Sequence, residues 1–193
     1  MVLRAVIFDL DGTVVENSYD WPLIKRTLGS GDTPILEYLY GLKGPERELK
    51  LAVLEKFEAE QTARAVLRPG MDELLEMLWE RGVRTALVTN NSLKNTEALV
   101  GRFGLRFDLV LTRESGLWKP SGAAFRRIMR EFGAGPEECA VVGDTKYDLA
   151  AAAEAGVGAV FIITDNAAEF TAAGAVVCRS AGELKQKFEA LLE

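Results

Sequence analysis

Two aspartates at the end of an apolar run are the residues of this chain best suited to chemistry. Ala5–Phe8 is apolar and leads into Asp9-Leu10-Asp11-Gly12-Thr13. In an extended chain residues i and i+2 point the same way, so Asp9 and Asp11 face one site while Leu10 faces the core. Close carboxylates repel unless a cation or a shared proton offsets them. A hard divalent ion such as Mg²⁺, which takes one or two carboxylates together with substrate phosphate, is the natural partner. Gly12 permits a tight turn. Alone, the motif also reads as a plain turn. It is not an EF-hand loop, which needs Gly and Glu where this chain has Val14 and Asp20.

Further candidates follow later apolar runs. Asp144 and Asp148 lie in Gly143-Asp144-Thr145-Lys146-Tyr147-Asp148, one helical turn apart. They read as metal ligands, or as acids complementing a helix N-terminus. Thr89-Asn90 offers a hydroxyl, an amide and the free N–H groups of a following helix, a plausible phosphate cradle, although ordinary capping chemistry explains it too. Lys119-Pro120 places a cation on a backbone that proline biases to the extended region.

The elements that must position these residues are short apolar runs bounded by turn formers. Ala5–Phe8, Thr85–Val88, Leu109–Leu111 and Ala140–Val142 read as buried parallel strands, with Ala159–Ile163 and Ala175–Cys178 as weaker ones. Helices are expected over Met71–Arg81, from Ser92 to Phe103, from Ser121 to Phe132 and from Thr145 to Ala155. A capping box of Ser180 with Glu183 opens a C-terminal helix. The alternation predicts a doubly wound, mostly parallel (Rossmann-like) α/β sheet. Residues 15–68 break it. That stretch shows only helical pieces, the longest from Pro45 to about Leu67 with Leu49, Val53 and Phe57 as an apolar stripe. We therefore expect an α/β core over 1–14 and 69–193 and a small all-helical cap over 15–68.

In open α/β sheets ligands bind outside the carboxyl ends of the strands. Asp9/Asp11, Thr89/Asn90 and Asp144/Asp148 all fall at such ends, with Lys119 on the same side. They meet if the first strand lies between the other two.

Composition narrows the chemistry. The 193 residues carry 23 Lys+Arg, 29 Asp+Glu and no His, a formal charge of −6. Without His there is no Ser-His-Asp triad, Cys-His dyad or His-ligated zinc. A net negative chain lacks the basic face that nucleic acid needs. No apolar stretch is long enough to span a membrane, no signal peptide is evident, and a cytoplasmic location is expected. Cys139 and Cys178 sit in apolar runs and read as buried reduced thiols.

The ordered set Asp9-x-Asp11-Gly-Thr13, Thr89-Asn90, Lys119-Pro120 and Gly143-Asp144-x-x-x-Asp148 resembles the four motifs of the haloacid dehalogenase-like hydrolase superfamily. The helical insertion is similar to that of its C1-cap subfamily, which includes phosphoglycolate phosphatase-like enzymes. The resemblance spans Val2 to about Ile163. It implies that Asp9 is the nucleophile forming an aspartyl-phosphate and that Asp11 is the general acid and base. Mg²⁺ would be held by Asp9, the backbone carbonyl of Asp11 and Asp144, with Asp148 as ligand or orienter. Thr89, Asn90 and Lys119 would bind the phosphoryl oxygens. An acid in the Asp11 position favours a phosphatase over a dehalogenase. The alternatives are a phosphomutase, which shares these residues, and a non-hydrolytic phospho-Asp regulatory protein.

The expected partner is a small phosphorylated metabolite, met by a monomer or homodimer. Lys43 and Arg47, flanking Gly44-Pro45, could meet an anionic substrate tail or be solvated surface charges. Trp21 either stacks on a substrate or anchors the cap helix.

Overall fold

The computed structural model describes residues 2–193. Its strands are β1 (Ala5–Phe8), β2 (Val15–Glu16), β3 (Val66–Leu67), β4 (Arg84–Val88), β5 (Leu109–Leu111), β6 (Cys139–Gly143), β7 (Ala159–Ile163) and β8 (Val176–Cys178). Its helices are α1 (Trp21–Leu28), α2 (Ile35–Gly41), α3 (Gly44–Arg64), α4 (Met71–Glu80), α5 (Leu93–Arg102), α6 (Ala123–Phe132), α7 (Lys146–Ala155), α8 (Ala167–Ala172) and α9 (Ala181–Leu192).

Six strands form one parallel sheet in the order β5-β4-β1-β6-β7-β8. β1 and β6 are buried at every position, as strands covered on both faces must be. Leu74, Leu78, Leu99, Leu184 and Phe188 cover one face, and Phe125, Ile128, Ala151 and Ala152 the other. Truncating a leucine of the first layer or Ile128 of the second to alanine would cost about 2–5 kcal/mol. Both cysteines are buried and unpaired. Among the described residues no helix is long and apolar enough to cross a membrane.

Helices α1–α3 pack on a cluster of their own, built from Ile24, Leu28, Leu36, Leu39 and Leu54. α1 starts where the Asp20 carboxylate accepts the Leu23 N–H at 2.9 Å, with Pro22 in the first turn.

Three local expectations change. The 15–68 stretch is not wholly helical: β2 and β3 pair antiparallel, Val15 with Leu67 and Glu16 with Val66, and close its root. Two residues per strand are too few for alternation to register. The apolar stripe on α3 is shorter than expected: Val53 and Phe57 pack against the cluster beside the buried Leu54, but Leu49 is 70% exposed, and Glu58 is buried as well. The capping box at α9 is half formed. Ser180 Oγ accepts from Glu183 N, while Glu183 accepts from Arg179 N rather than from Ser180.

Candidate active site

The strand order puts β1 between β4 and β6, with Phe8 beside both Leu87 and Val142. The segments after these three strands therefore emerge together. Asp9 continues the ladder, its N–H donating to Val142 O at 2.9 Å, and the Thr89 N–H donates to Leu111 O at 3.0 Å.

Carboxylate oxygens of Asp9, Asp144 and Asp148 all lie within 4.8 Å of one another. Lys119 stands among them, with Nζ 2.5 Å from Asp9 Oδ1 and 2.6 Å from Asp148 Oδ1. Two glycines make this convergence possible. A Cβ on Gly12 would sit 2.1 Å from Asp144 Oδ2, and Gly12 has φ +83°; a Cβ on Gly143 would sit 2.3 Å from the Asp148 carboxyl carbon. Asp148 caps a helix and meets the lysine at once. Oδ1 meets Lys119, and Oδ2 accepts from Thr145 N at 3.0 Å and Thr145 Oγ at 2.7 Å, capping α7.

Positive charge is scarce here. Burial pushes Asp9 well above the usual carboxylate range, Lys119 opposes this, and Asp148 and Asp144 add repulsion. Asp144 is pushed up to about 6 by burial and by Asp148. Burial works against the Lys119 ammonium, but Asp148 and Asp9 hold its pKa above the ordinary lysine value. Three carboxylates sharing one ammonium form an all-oxygen donor set with surplus negative charge, which fits a hard cation such as Mg²⁺.

Asp11 stands apart from this trio. Its carboxylate accepts from Asn17 Nδ2 at 2.5 Å and Tyr19 Oη at 3.4 Å on one oxygen. Asn91 Nδ2 at 3.0 Å and Thr89 Oγ1 at 3.5 Å approach the other. Burial raises its pKa, while the Asn91 and Asn17 donors oppose the rise. Its side chain is not among the clustered carboxylates.

Asn90 lines the cavity and also holds the lysine. Its amide donates to Lys119 O and accepts from Lys119 N, both at 2.9 Å. The Asn90 side chain is thus occupied in fixing the Lys119 backbone. The Lys119–Pro120 peptide is cis.

Sequence reasoning missed Asn17, Tyr19, Asn91 and Arg68. Arg68 follows β3 and donates to Thr13 O at 2.8 Å and Gly12 O at 2.5 Å, holding the loop that carries both aspartates. Asn17 and Tyr19 have the same i, i+2 spacing as the aspartate pair, which was their one available signal.

Above the carboxylates lies a cavity of about 490 Å³. Asp9, Asp11, Thr89, Asn90, Lys119 and Asp144 line its floor, and Trp21, Lys25, Ile35, Leu36, Leu54 and Glu58 contribute to its roof. Lys43 and Arg47 do not line it. The part of α3 over the cavity is Leu54–Glu58, and at about 1.5 Å of rise per residue Arg47 is roughly 16 Å from Glu58 along the axis. Lys25 on α1 is the roof cation instead. Trp21 is no buried anchor: it is 46% exposed, stacks on Tyr19 with ring centroids 4.5 Å apart, and lines the cavity.

The roof is tied to the sheet by a buried ion cluster. Arg113, in the turn after β5, places Nη1 at 2.7 and 2.8 Å from the two Glu58 oxygens and Nη2 at 2.7 Å from Glu55 Oε2. Glu58 is 4% exposed and Arg113 5%. Arginine keeps its proton, so a gained proton falls on a carboxylate. Burial pushes Glu58 up to about 8 despite Arg113, and Glu55 adds repulsion. Tyr40 on α2 also stacks on Trp118, beside Lys119, with centroids 4.6 Å apart.

Three comparisons bear on this arrangement. The protein-family model for haloacid dehalogenase-like hydrolases matches residues 37–156. The chain is 27% identical to phosphoglycolate phosphatase 1 of Pseudomonas aeruginosa, over 80% of this chain and 67% of that one. It is 34% identical to a phosphoserine phosphatase of Thermus thermophilus, over 67% of this chain and 59% of that one. Among solved structures, a hydrolase from Pseudomonas syringae superposes with a TM-score of 0.78 at 21% identity, covering 97% of this chain and 98% of that one. The last likeness speaks for the fold.

Proposed function

The chain belongs to the haloacid dehalogenase-like hydrolase family, and from that premise we propose a Mg²⁺-dependent phosphatase that hydrolyses small phosphate monoesters through a phosphorylated Asp9. The observation that carries this reading is the separation of two aspartates from one turn. Asp9 lies among carboxylates and the Lys119 ammonium, whereas Asp11 is held away from them by Asn17, Tyr19 and Asn91.

A carboxylate nucleophile splits hydrolysis into two easier steps. An Asp9 oxygen attacks phosphorus and the ester P–O bond breaks. Asp11, whose protonated form burial favours, gives its proton to the departing alcohol oxygen. Asp11 then takes a proton from a water that attacks phosphorus. The Asp9–phosphate bond breaks, inorganic phosphate leaves and Asp9 is regenerated. Lys119 and Thr89 stand where the phosphoryl oxygens would lie, and Asn90 keeps Lys119 in place. Asp9 and Asp144, with Asp148 and the Asp11 carbonyl, are the residues that would hold Mg²⁺. When bound, the ion supplies the positive charge that phosphoryl transfer needs and that one lysine cannot provide.

Residues 15–68 act in this reading as a cap that covers the reacting groups and excludes water. The P. aeruginosa relative carries the name phosphoglycolate phosphatase. A carboxylate-bearing leaving group would find Lys25 as its roof cation, in place of Lys43 or Arg47.

The test is phosphate release from a panel of small monoesters, with Mg²⁺ and with EDTA. Release that needs Mg²⁺ supports the reading. Release indifferent to EDTA, or isomerised ester without free phosphate, would contradict it, and the second result would indicate a mutase.

A further inference from the structure

The space above the carboxylates is too large and too apolar to be explained by a two-carbon acid. A volume of about 490 Å³ falls in the range of about 300–1,000 Å³ that holds drug-sized ligands. Trp21 and Ile35 offer it open apolar surface from the roof, with Leu36 and Leu54, which belong to the buried cluster of the three helices, behind them. The charged groups that the roof adds are Lys25 and Glu58, and Glu58 is already bound to Arg113. Ser18, Thr145, Lys146 and Tyr147 also line the cavity and offer polar partners, but at the roof a sugar would take its hydroxyls out of water against isoleucine and indole. An alkyl or aryl group would bury apolar surface on both sides.

We propose that the preferred substrates are phosphate monoesters whose leaving group carries an extended apolar chain or ring, seated on Trp21 and Ile35. This rests on the phosphatase reading for turnover, but not for binding. The phosphoryl group sits at Asp9 and Lys119, and the apolar part extends towards α1 and α2.

A series of n-alkyl phosphates from ethyl to octyl tests it, because leaving-group basicity hardly changes along the series while apolar area grows. Turnover is measured in Mg²⁺ buffer, and binding of the matching n-alkylphosphonates, which cannot be hydrolysed, by calorimetry. We expect kcat/KM and affinity to rise roughly threefold to fourfold per methylene until the cavity is full, and Ile35→Ser to flatten that rise. Turnover or affinity that is level or falls with chain length overturns the inference, and with phosphate still released it leaves the phosphatase reading standing. Length-dependent phosphonate binding with no release from any ester would uphold the apolar site and sink the phosphatase reading.

Discussion

The floor and the roof of the cavity each hold a buried cation between acidic side chains, yet the two clusters do different work. On the floor, Lys119 lies between Asp9 and Asp148, with Asp144 as a third carboxylate facing the cavity. At the roof, Arg113 lies between Glu58 and Glu55 and joins α3 to the turn after β5. Lysine offers a compact point charge, and the floor keeps more carboxylates than it can neutralise, so it is poised to take a further cation and a phosphate. Arginine offers a planar fork whose nitrogens meet Glu58, Glu55 and, at 3.6 Å, Glu114, so its donors are taken up by the protein's own side chains and the roof cluster serves as a joint. Three carboxylates around one cation therefore give a reaction centre in one place and a fastening in the other, according to whether the cation is a point charge beside an open cavity or a fork whose donors are taken up.

Removing each cation would break the comparison in a different way. Lys119→Met should lower kcat by about 10²–10³, the scale for losing one preorganised donor to a developing charge, as read by phosphate release in saturating Mg²⁺. A change under tenfold would mean that Lys119 is structural only. Arg113→Ala should act on stability, because it strands the buried Glu58 carboxyl and leaves the half-buried Glu55 beside it without its cation. The expected cost is about 3–5 kcal/mol, read from denaturant midpoints, and a cost below about 1 kcal/mol would mean that the joint is ornamental.

Titration sharpens the contrast. Glu58 has its pKa raised to about 8, against 4.5 for an ordinary glutamate. The folded state thus binds this proton more tightly than the unfolded chain does. The stabilisation is complete below about pH 4.5 and is lost as pH rises through about 8, a decline on the order of a few kcal/mol. Glu58→Gln should remove that slope between pH 5 and 8; an unchanged slope would place the proton elsewhere. The smallest effect belongs to residues outside both clusters. Lys43→Ala and Arg47→Ala should change kcat/KM by less than about twofold, in keeping with surface positions, whereas Lys25→Ala should weaken turnover of carboxylate-bearing esters alone.

The floor was legible in the sequence because backbone periodicity places its residues. Asp9, Thr89 and Asp144 follow short apolar runs, and parallel strands deliver such residues to one edge whatever the connections do. The order that would bring them together, with the first strand between the other two, is the one observed. The roof was not legible for the same kind of reason. Which face of α3 meets the cavity depends on how three short helices pack, so Leu49 was expected inside and is outside, while Glu58 lies buried against an arginine 55 positions away. Asn90 shows a finer limit: its type and place suited a phosphate ligand, but the Lys119 backbone takes both ends of its amide.

The central claim is that Asp9 becomes phosphorylated during turnover. The direct measurement is an acid quench of the Mg²⁺-loaded protein during turnover of its best ester, followed by peptide mass analysis, with Asp9→Asn as the control. The account predicts one phosphoryl group on the Asp9 peptide of the wild type and none in the variant. Steady release of phosphate with no label on Asp9, or full turnover by Asp9→Asn, would contradict it.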